Sequence, residues 1–291
     1  MRILMFGANG QVARETVALA AAQGRDLVAL DRTQADIADA EAVARAIAEV
    51  KPDIVFNGAA YTAVDKAEGD PAAAERGNAT GPAVLAAACA KAGIPLVHIS
   101  TDYVFDGTKT GAYVESDPIA PLGVYGGTKA AGEAAVRAAT ERHVILRTSW
   151  VYGAHGANFL KTMLRLAGDR DRLTIVADQR GCPTATRDIA EALFAVADAV
   201  AAGTVRYGTY HFAGTGATTW HGFASEIIAH AARHTGRTPD VAAITTADYP
   251  TPAQRPANSE LDSSLFEQTF RYRAAPWQTR AGEVVDTLLA P

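Results

Sequence analysis

The first thirty residues of the chain place the strongest limit on its fold. A short apolar run, Arg2 to Phe6, leads into Gly7 and Gly10, and an alanine-rich segment then extends to about Gln23. This order predicts a strand, a tight glycine turn and a helix. The glycines allow the turn and let backbone N–H groups at the helix N-terminus approach a phosphate. We therefore expect the chain to begin with a nucleotide-binding βα unit.

The alternation of strand and helix continues well beyond this unit. Further apolar runs end at Leu30, Asn57, Ser100 and Arg147, and segments with helical periodicity lie between them. Strands that alternate with helices predict a parallel sheet with helices on both faces. We therefore predict an α/β protein with a Rossmann-like, doubly wound parallel sheet and a smaller C-terminal α/β substrate-binding region.

Length and composition bound the organisation and the partners of the chain. Its 291 residues suit one large domain or two closely packed ones. We assign residues 1–150 to a dinucleotide-binding Rossmann domain and 151–291 to a substrate-binding region packed on it, with a soft boundary. A net charge of −5 without a basic run argues against nucleic acid or a membrane as a partner.

Cysteine use and hydropathy indicate the compartment. Cys89 and Cys182 match no metal motif and suggest no disulfide framework. No apolar run approaches the length of a transmembrane helix, and the N-terminal run is too short for a signal peptide. We therefore expect a cytoplasmic protein in a reducing compartment.

Residues at the ends of the first three predicted strands are candidates for binding a dinucleotide. An acid about 20 residues after the glycines typically holds the ribose hydroxyls, whereas an arginine there can hold a 2′-phosphate. Asp31 and Arg32 provide both side by side, so NADH and NADPH remain open as cofactors. The candidates are Gly7, Asn9, Gly10, Gln11, Val12, Asp31, Arg32, Asp36, Ile37, Ala59, Ala60 and Tyr61, together with Tyr125 and Lys129.

A tyrosine and a lysine four residues apart form the candidate catalytic pair. Tyr125 and Lys129 fall where a helical pattern begins, so one face of the helix would carry both. A neighbouring ammonium lowers the pKa of a phenol from about 10, which would let Tyr125 donate a proton near neutral pH. Thr101, at the end of the fourth predicted strand, would bind the carbonyl oxygen that is protonated. The alternative is a surface pair that has this spacing by chance.

Seven stretches occur in a characteristic order along the chain. They are residues 7–11, 57–68, 100–107, 125–129, 147–153, 178–184 and 252–259. In sequence and order they resemble the dTDP-4-dehydrorhamnose reductases, a family of the extended short-chain dehydrogenase/reductase superfamily. One departure is Ala13, where the family often has glycine.

The resemblance implies a particular reaction. An NADPH- or NADH-dependent enzyme would reduce the C4 ketone of a nucleotide sugar, dTDP-4-dehydro-L-rhamnose, whose product usually enters a surface polysaccharide. Tyr125 would donate the proton, and Lys129 would hold the nicotinamide ribose. The candidate substrate contacts are Thr101, Asp102, Tyr103, Trp150 and Arg255. The alternative is that Trp150 is an aromatic residue of the core and that Arg255 is an arginine of a surface loop.

Two other functions stay open. One is a nucleotide-sugar epimerase or epimerase–reductase of the same superfamily, for which Cys182 and His211 are weakly placed as an acid/base pair. The other is a nucleotide-binding regulatory subunit, although a pure binding module need not retain Thr101, Tyr125 and Lys129 together.

No metal site is predicted from the sequence. We expect no pair of histidines with the spacing of a zinc site. The resemblance implies that some relatives use Mg²⁺ at a dimer contact, so Mg²⁺ and a homodimer are compatible with this chain, but no residue is assigned to that ion.

Overall fold

A parallel sheet of six strands runs through the centre of the protein. The structure is a computed structural model that describes residues 1–290. Its strands are β1 (Arg2–Phe6), β2 (Asp26–Leu30), β3 (Ile54–Asn57), β4 (Leu96–Thr101), β5 (His143–Thr148), β6 (Val151–Tyr152), β7 (Arg172–Val176), β8 (Arg180–Gly181), β9 (Thr184–Ala185), β10 (Gly208–His211), β11 (Thr218–Thr219), β12 (Asp240–Ile244) and β13 (Asn258–Ser259). Its helices are α1 (Gln11–Gln23), α2 (Ala40–Val50), α3 (Val64–Gly69), α4 (Pro71–Glu75), α5 (Gly81–Ala92), α6 (Val124–Ala139), α7 (Phe159–Asp169), α8 (Thr186–Ala201), α9 (Trp220–Thr235), α10 (Ser264–Phe270) and α11 (Trp277–Leu289).

The strand order places a crevice beside β1. The central sheet has the order β10-β5-β4-β3-β1-β2, and all of its neighbouring strands are parallel. Met5 of β1 pairs with Ala29 on one side and with Phe56 on the other. The chain leaves β1 in one direction to form β2 and returns to form β3 on the other side. Ligands of doubly wound sheets bind where the order reverses in this way, at the carboxyl ends of the strands.

Helices cover both faces of the central sheet. Successive residues of a strand point to opposite faces, and the core follows this rule. Met5 and Leu146 belong to the cluster beneath α1 and α8, whereas Leu4 and Ile145 belong to the cluster beneath α2 and α5. The inner strands β1, β3, β4 and β5 are almost fully buried, as expected for a parallel sheet between two helical layers, whereas the edge strands β2 and β10 are more exposed. The predicted fold class is therefore confirmed.

A second core lies in the C-terminal half. Tyr152, Met163, Phe223 and Trp277 pack together between α7, α9 and α11, beside the parallel pair β7–β12. However, α8 and β10, which also follow residue 150, belong to the central sheet and its helical layer. The division at residue 150 stays a prediction, and the central sheet draws strands from both sides of it.

Some elements differ from those that periodicity alone indicates. The helical segment before β4 begins with a π-helical turn, Arg76–Thr80, and continues as α5. In this turn the Asn78 side chain bonds the backbone N–H and carbonyl of Tyr61, at 2.8 and 3.0 Å. The helices α4 and α10 and the strand β12 were not expected, because short elements carry little periodic signal. Among residues 1–290, no helix combines the length and apolar character needed to cross a bilayer.

Candidate active site

The turn after β1 forms a cradle of backbone groups. Gly7 has a φ of +93°, which side chains disfavour. A Cβ at this position would lie 2.7 Å from the Ala59 nitrogen, so only glycine lets the loops after β1 and β3 meet. The N–H groups of Gly7 and Ala8 donate to the Leu30 carbonyl. After Gly10, α1 begins without a side-chain cap from the described chain. Its first N–H groups are therefore free to donate hydrogen bonds to a bound anion.

A cavity of about 320 Å³ opens over this cradle, between the loops that follow β1, β2 and β3. Most of the predicted cofactor residues line it, namely Gly7, Asn9, Gly10, Asp31, Arg32, Asp36, Ile37, Ala59, Ala60 and Tyr61. Gln11 and Val12 lie in the first turn of α1, and Tyr125 and Lys129 lie in α6; none of these four predicted residues is part of this lining. Gln11 Nε2 donates instead to the Val151 carbonyl, at 3.4 Å. We call this space the cofactor cavity.

Five residues of the lining were not among the predicted cofactor residues. They are Ala35, Gly58, Ala73, Arg76 and Gly77. Gly58 directly follows β3, and the other four carry no motif spacing, so only the folded structure places them at the cavity. Arg76 is notable for its charge: its Nη2 donates to Asp36 Oδ2 at 2.7 Å, and Arg32 Nε donates to the same oxygen at 3.2 Å. Two guanidinium groups therefore flank one carboxylate at the rim of the cofactor cavity.

Asp31 is held as an ionised acceptor at the same rim. Its Oδ1 accepts hydrogen bonds from the Thr33 hydroxyl and N–H, at 2.6 and 2.8 Å, and its Oδ2 accepts one from Asn9 at 3.2 Å. The Thr33 hydroxyl is the main group that lowers the pKa of this carboxyl. The rim therefore combines a carboxylate for ribose hydroxyls with arginines for a 2′-phosphate, and NADH and NADPH both fit its chemistry.

The candidate catalytic residues meet where β4 ends and α6 begins. Thr101 closes β4, and its hydroxyl donates to Asp102 Oδ1 at 2.9 Å. Tyr125 lies in the first turn of α6, with its ring edge-to-face against Tyr103 at 5.5 Å between centroids. This approach requires Gly126, since a Cβ there would lie 2.2 Å from the Tyr103 carbonyl oxygen.

Lys129 lies one turn further along α6 and is almost fully buried. Its Nζ donates to the Ile99 carbonyl at 2.7 Å, which holds the ammonium group against β4. Burial lowers the pKa of Lys129 to about 8, against the opposing charge of Glu133. The lysine can therefore change its charge within a few units of neutral pH.

The pKa of Tyr125 differs from the sequence-based expectation. Burial raises it to about 12, the Thr101 hydroxyl opposes this shift, and the charge of Asp102 adds to it. The prediction that this pKa lies below the ordinary value is therefore wrong, because burial of the phenol dominates and Lys129 is not among the groups that shift it in the unliganded protein. Tyr125 is a protonated phenol at neutral pH, which is the form that a proton donor requires.

Asp102 is a buried carboxyl beside this pair. Its side chain is almost fully buried, and Oδ2 has no hydrogen-bond partner within residues 1–290. Burial raises its pKa to about 6. Buried polar atoms in proteins are nearly always paired, so this oxygen is suited to a hydroxyl group of a ligand.

A larger cavity, of about 630 Å³, lies beyond the ends of β4 and β5, where Tyr103 and Trp150 line it. Of the predicted substrate contacts, Tyr103, Trp150 and Arg255 line it, whereas Thr101 and Asp102 are buried behind it. Its other residues were missed, and they are Thr62, Val64, Val151, Phe159, Thr162, Met163, Leu166, Arg170, Leu173, Thr174, Ile175, Val176, Gln179, Trp220, Tyr249 and Thr251. We call this space the substrate cavity.

Stacked indoles form one wall of the substrate cavity. Trp150 and Trp220 are parallel to within 7°, with ring centroids 3.5 Å apart, and Trp220 Nε1 donates to Gln179 Oε1 at 3.1 Å. Trp150 has a φ of +47°, a rare conformation for a bulky residue, and a Cβ at Gly181 would lie 2.5 Å from its ring. Such strain is typical of functional positions. Trp150 lines the cavity and also packs against the second core, so both of its expected roles remain compatible with the structure.

Arg255 reaches the substrate cavity from the proline-rich loop. It forms a bidentate ion pair with Asp65, at 2.8 and 3.1 Å, and its side chain is about one quarter exposed. Its guanidinium also contacts the Thr251 hydroxyl. The arginine is therefore anchored at the cavity rather than free on the surface, and bidentate geometry is what guanidinium uses for phosphate as well.

Cys182 and His211 do not form an acid/base pair in either cavity. Both side chains are buried, and neither lines a described cavity. His211 Nδ1 bonds the Tyr113 carbonyl and Nε2 lies 3.4 Å from Arg147 Nη1. Burial lowers the pKa of His211 to about 4 and raises that of the Cys182 thiol to about 11. Both groups are neutral near pH 7, which disfavours the epimerising mechanism.

The fold and the Thr–Tyr–Lys site define a nucleotide-binding oxidoreductase of the short-chain dehydrogenase/reductase class. The family described as RmlD substrate binding domain matches residues 1–290. A dTDP-4-dehydrorhamnose reductase from Burkholderia thailandensis is 45% identical over all of both chains. The chain belongs to the dTDP-4-dehydrorhamnose reductase family, as the resemblance predicted.

Solved structures agree with this assignment. A dTDP-4-dehydrorhamnose reductase from Clostridium acetobutylicum superimposes with a TM-score of 0.92, at 40% identity, over 99% of each chain. The Bacillus anthracis dTDP-4-dehydrorhamnose reductase in complex with NADP has a TM-score of 0.90 at 32% identity, over 97% of this chain and 98% of that one.

Proposed function

We propose that the protein reduces the C4 ketone of dTDP-4-dehydro-L-rhamnose to dTDP-L-rhamnose with NADPH or NADH. The observation that carries this proposal is the position of Thr101 at the end of β4, beside Tyr125 and Lys129 of α6. In the sheet β4 lies between β3, whose following loop lines the cofactor cavity, and β5, whose following residues line the substrate cavity. The names of the relatives support the substrate, and the NADP complex of the Bacillus anthracis relative supports the cofactor.

The cofactor cavity fits a dinucleotide. The glycine cradle and the uncapped start of α1 suit the pyrophosphate, and Asp31, Arg32 and Arg76 suit the adenosine ribose and its phosphate. Lys129 would hold the nicotinamide ribose. When bound, the reduced nicotinamide supplies the hydride.

The residues between the cavities would handle the proton. Reduction of a ketone leaves negative charge on its oxygen, and Tyr125 would donate the proton to that oxygen while Thr101 stabilises it by a hydrogen bond. The Lys129 ammonium would stabilise the phenolate that Tyr125 becomes. The high pKa of Tyr125 keeps the donor protonated, and the lysine lowers the cost of losing that proton.

The substrate cavity fits a nucleotide sugar. The stacked Trp150–Trp220 wall provides an apolar surface for a flat or ring-shaped group. Arg255 would bind a phosphate of the substrate while it keeps its ion pair with Asp65. Tyr103, which lines the cavity, would contact a sugar hydroxyl, and the buried Asp102 carboxyl behind it would do so only if ligand binding exposes it.

A spectrophotometric assay tests the proposal directly. The purified protein would be mixed with dTDP-4-dehydro-L-rhamnose and either NADPH or NADH, and oxidation would be followed at about 340 nm. Substrate-dependent oxidation is the expected result. Cofactor binding without turnover would favour the regulatory subunit, and turnover only with another keto sugar nucleotide would reassign the substrate.

Location and assembly are part of the same proposal. Cys89 and Cys182 are both free and buried, which supports a reducing compartment and a cytoplasmic protein. A homodimer stays a prediction, and gel filtration with light scattering would test it.

A further inference from the structure

A cluster outside both cavities brings two histidines and an aspartate together. His230 and His234 lie four residues apart on α9 and share one face of it. Their Nε2 atoms lie 2.8 and 2.7 Å from the same oxygen, Oδ1 of Asp286 on α11. The expectation that no histidine pair has zinc-site spacing is therefore wrong, because i and i+4 is such a spacing on a helix.

The electrostatics of this cluster favour a cation. Phe223 contacts Trp277 near the N-terminal ends of α9 and α11, while His234 contacts Asp286 near their C-terminal ends, so the helices run parallel. Each helix C-terminus carries partial negative charge. Two such ends and the Asp286 carboxylate therefore lie side by side.

Packing orients the ligating atoms. A Cβ at Gly282 of α11 would lie 2.7 Å from His230 Cε1, so only a glycine lets this ring press against the helix. The His230 and His234 side chains are 17% and 28% exposed, and that of Asp286 is 55% exposed. One side of the cluster is thus fixed by packing and the other is open to solvent.

We propose that His230, His234 and Asp286 form a binding site for a divalent transition metal ion, and that this ion is Zn²⁺. Two imidazoles and a carboxylate are a ligand set of zinc sites, with the fourth position left to water. Both Nε2 atoms must offer a lone pair to the metal, so each neutral imidazole would carry its proton on Nδ1 in the bound state. Mg²⁺ is disfavoured, because it takes oxygen ligands.

The required movement is small. Zinc bonds of about 2.0–2.1 Å in a tetrahedron place ligand atoms roughly 3.3 Å apart. The present Nε2–Oδ1 distances of 2.8 and 2.7 Å would open by roughly half an ångström. The bound ion would tie α11 to α9, the helix that begins with Trp220 of the substrate cavity.

Metal binding can be measured without the reductase reaction. Chelator-treated full-length protein would be titrated with Zn²⁺ against a chromogenic zinc indicator at about pH 7.5, well above the ordinary histidine pKa. We expect one tight equivalent in the wild type, and binding at least about tenfold weaker in His234→Gln and in Asp286→Asn. Arg233→Gln, an exposed change in the same helical turn, is the control and should bind like the wild type.

A thermal-melt series separates a metal site from a purely structural histidine–aspartate contact. Zn²⁺ should raise the Tm of the wild type and of Arg233→Gln but leave that of His234→Gln unchanged, since a ligand stabilises only the state that binds it. Equal zinc binding by the wild type and both site variants would overturn the proposal. So would a wild type whose Tm does not respond to Zn²⁺ that saturates the indicator.

Discussion

The two cavities beside the candidate catalytic residues are built in different ways. The cofactor cavity draws its lining from residues 7–77, one continuous part of the chain, and combines a floor of backbone groups and small residues with a charged rim. The substrate cavity draws its lining from residues between 62 and 255, on several helices and strands, and uses large side chains. The first is a local structure set by turn geometry, whereas the second exists only when distant segments pack together.

This contrast explains where the chain can vary its specificity. Backbone N–H groups recognise any pyrophosphate, so the cradle fixes a class of ligand. Aromatic walls and an anchored arginine recognise shape and charge, and their replacement would change the ligand accepted. Changes in one cavity should therefore leave binding in the other intact, whereas changes between them should abolish turnover and leave both kinds of binding.

The largest effect should come from the residue between the cavities. Tyr125→Phe removes the proton donor, so kcat should fall by about 10²- to 10⁴-fold. Dissociation constants for cofactor and substrate, measured by calorimetry, should change little. Tyr207→Phe, whose hydroxyl bonds Arg142 far from the site, is the matched control. Near-normal turnover by Tyr125→Phe would remove the tyrosine from its assigned role.

Next in size should be a change in the cofactor cradle. Gly7→Ala places a Cβ 2.7 Å from the Ala59 nitrogen at a φ of +93°. Strain of about 1–3 kcal/mol would weaken cofactor binding by roughly 10- to 100-fold. Gly24→Ala has a positive φ as well but meets no atom within 4 Å, and it lies outside the lining of both cavities. Equal cofactor affinity in Gly7→Ala and Gly24→Ala would contradict the proposal that the Gly7 turn binds the cofactor.

The pH profile should be set by Lys129. Its pKa is lowered to about 8, so the ammonium is present below that pH and is lost above it. Single-turnover reduction should therefore be about tenfold slower at pH 9 than at pH 7, since the neutral amine no longer stabilises the developing phenolate. Lys129→Arg keeps its charge and should not show this fall, even if it is slower overall. A flat wild-type profile over the same interval would argue against the lysine's role.

A smaller effect is expected in the substrate cavity. Trp220→Ala removes the partner of Trp150 and should raise the KM for the nucleotide sugar about five- to tenfold, while the cofactor KM stays within about twofold. Trp220→Phe keeps an aromatic face, so its KM for the nucleotide sugar should lie between those of the wild type and Trp220→Ala. A rise in both KM values would mean that the cavities are coupled, and the comparison between them would fail.

The smallest effect concerns the choice of cofactor. Arg76→Gln should raise the KM for NADPH by about fivefold and leave that for NADH unchanged, because a partly exposed phosphate contact is worth about 1 kcal/mol. Arg45→Gln, an exposed arginine on α2 away from the cavity, is the control. Equal changes for both cofactors would show that Arg76 supports the loop and does not read the 2′-phosphate.

The cofactor cavity was largely predictable from the sequence, and the substrate cavity was not. Gly7, Asp31 and Ala59 each follow a strand, and parallel strands end at one edge of the sheet, so their meeting could be inferred. Trp220, Gln179 and Phe159 carry no such spacing. The stack of Trp220 on Trp150 depends on the start of α9 packing against the segment that follows β5, which periodicity does not specify.

The sequence by itself determined the alternation of strands and helices, the glycine turn and the spacing of Tyr125 and Lys129, because turn geometry and helical periodicity are local properties of the chain. Only the tertiary structure decided which groups are buried. Burial raised the pKa of Tyr125, lowered that of Lys129 and reversed the direction expected from their spacing. The tertiary structure also brought Asp286 of α11 against the two histidines of α9, since contacts between distant segments follow from packing and not from the order of residues.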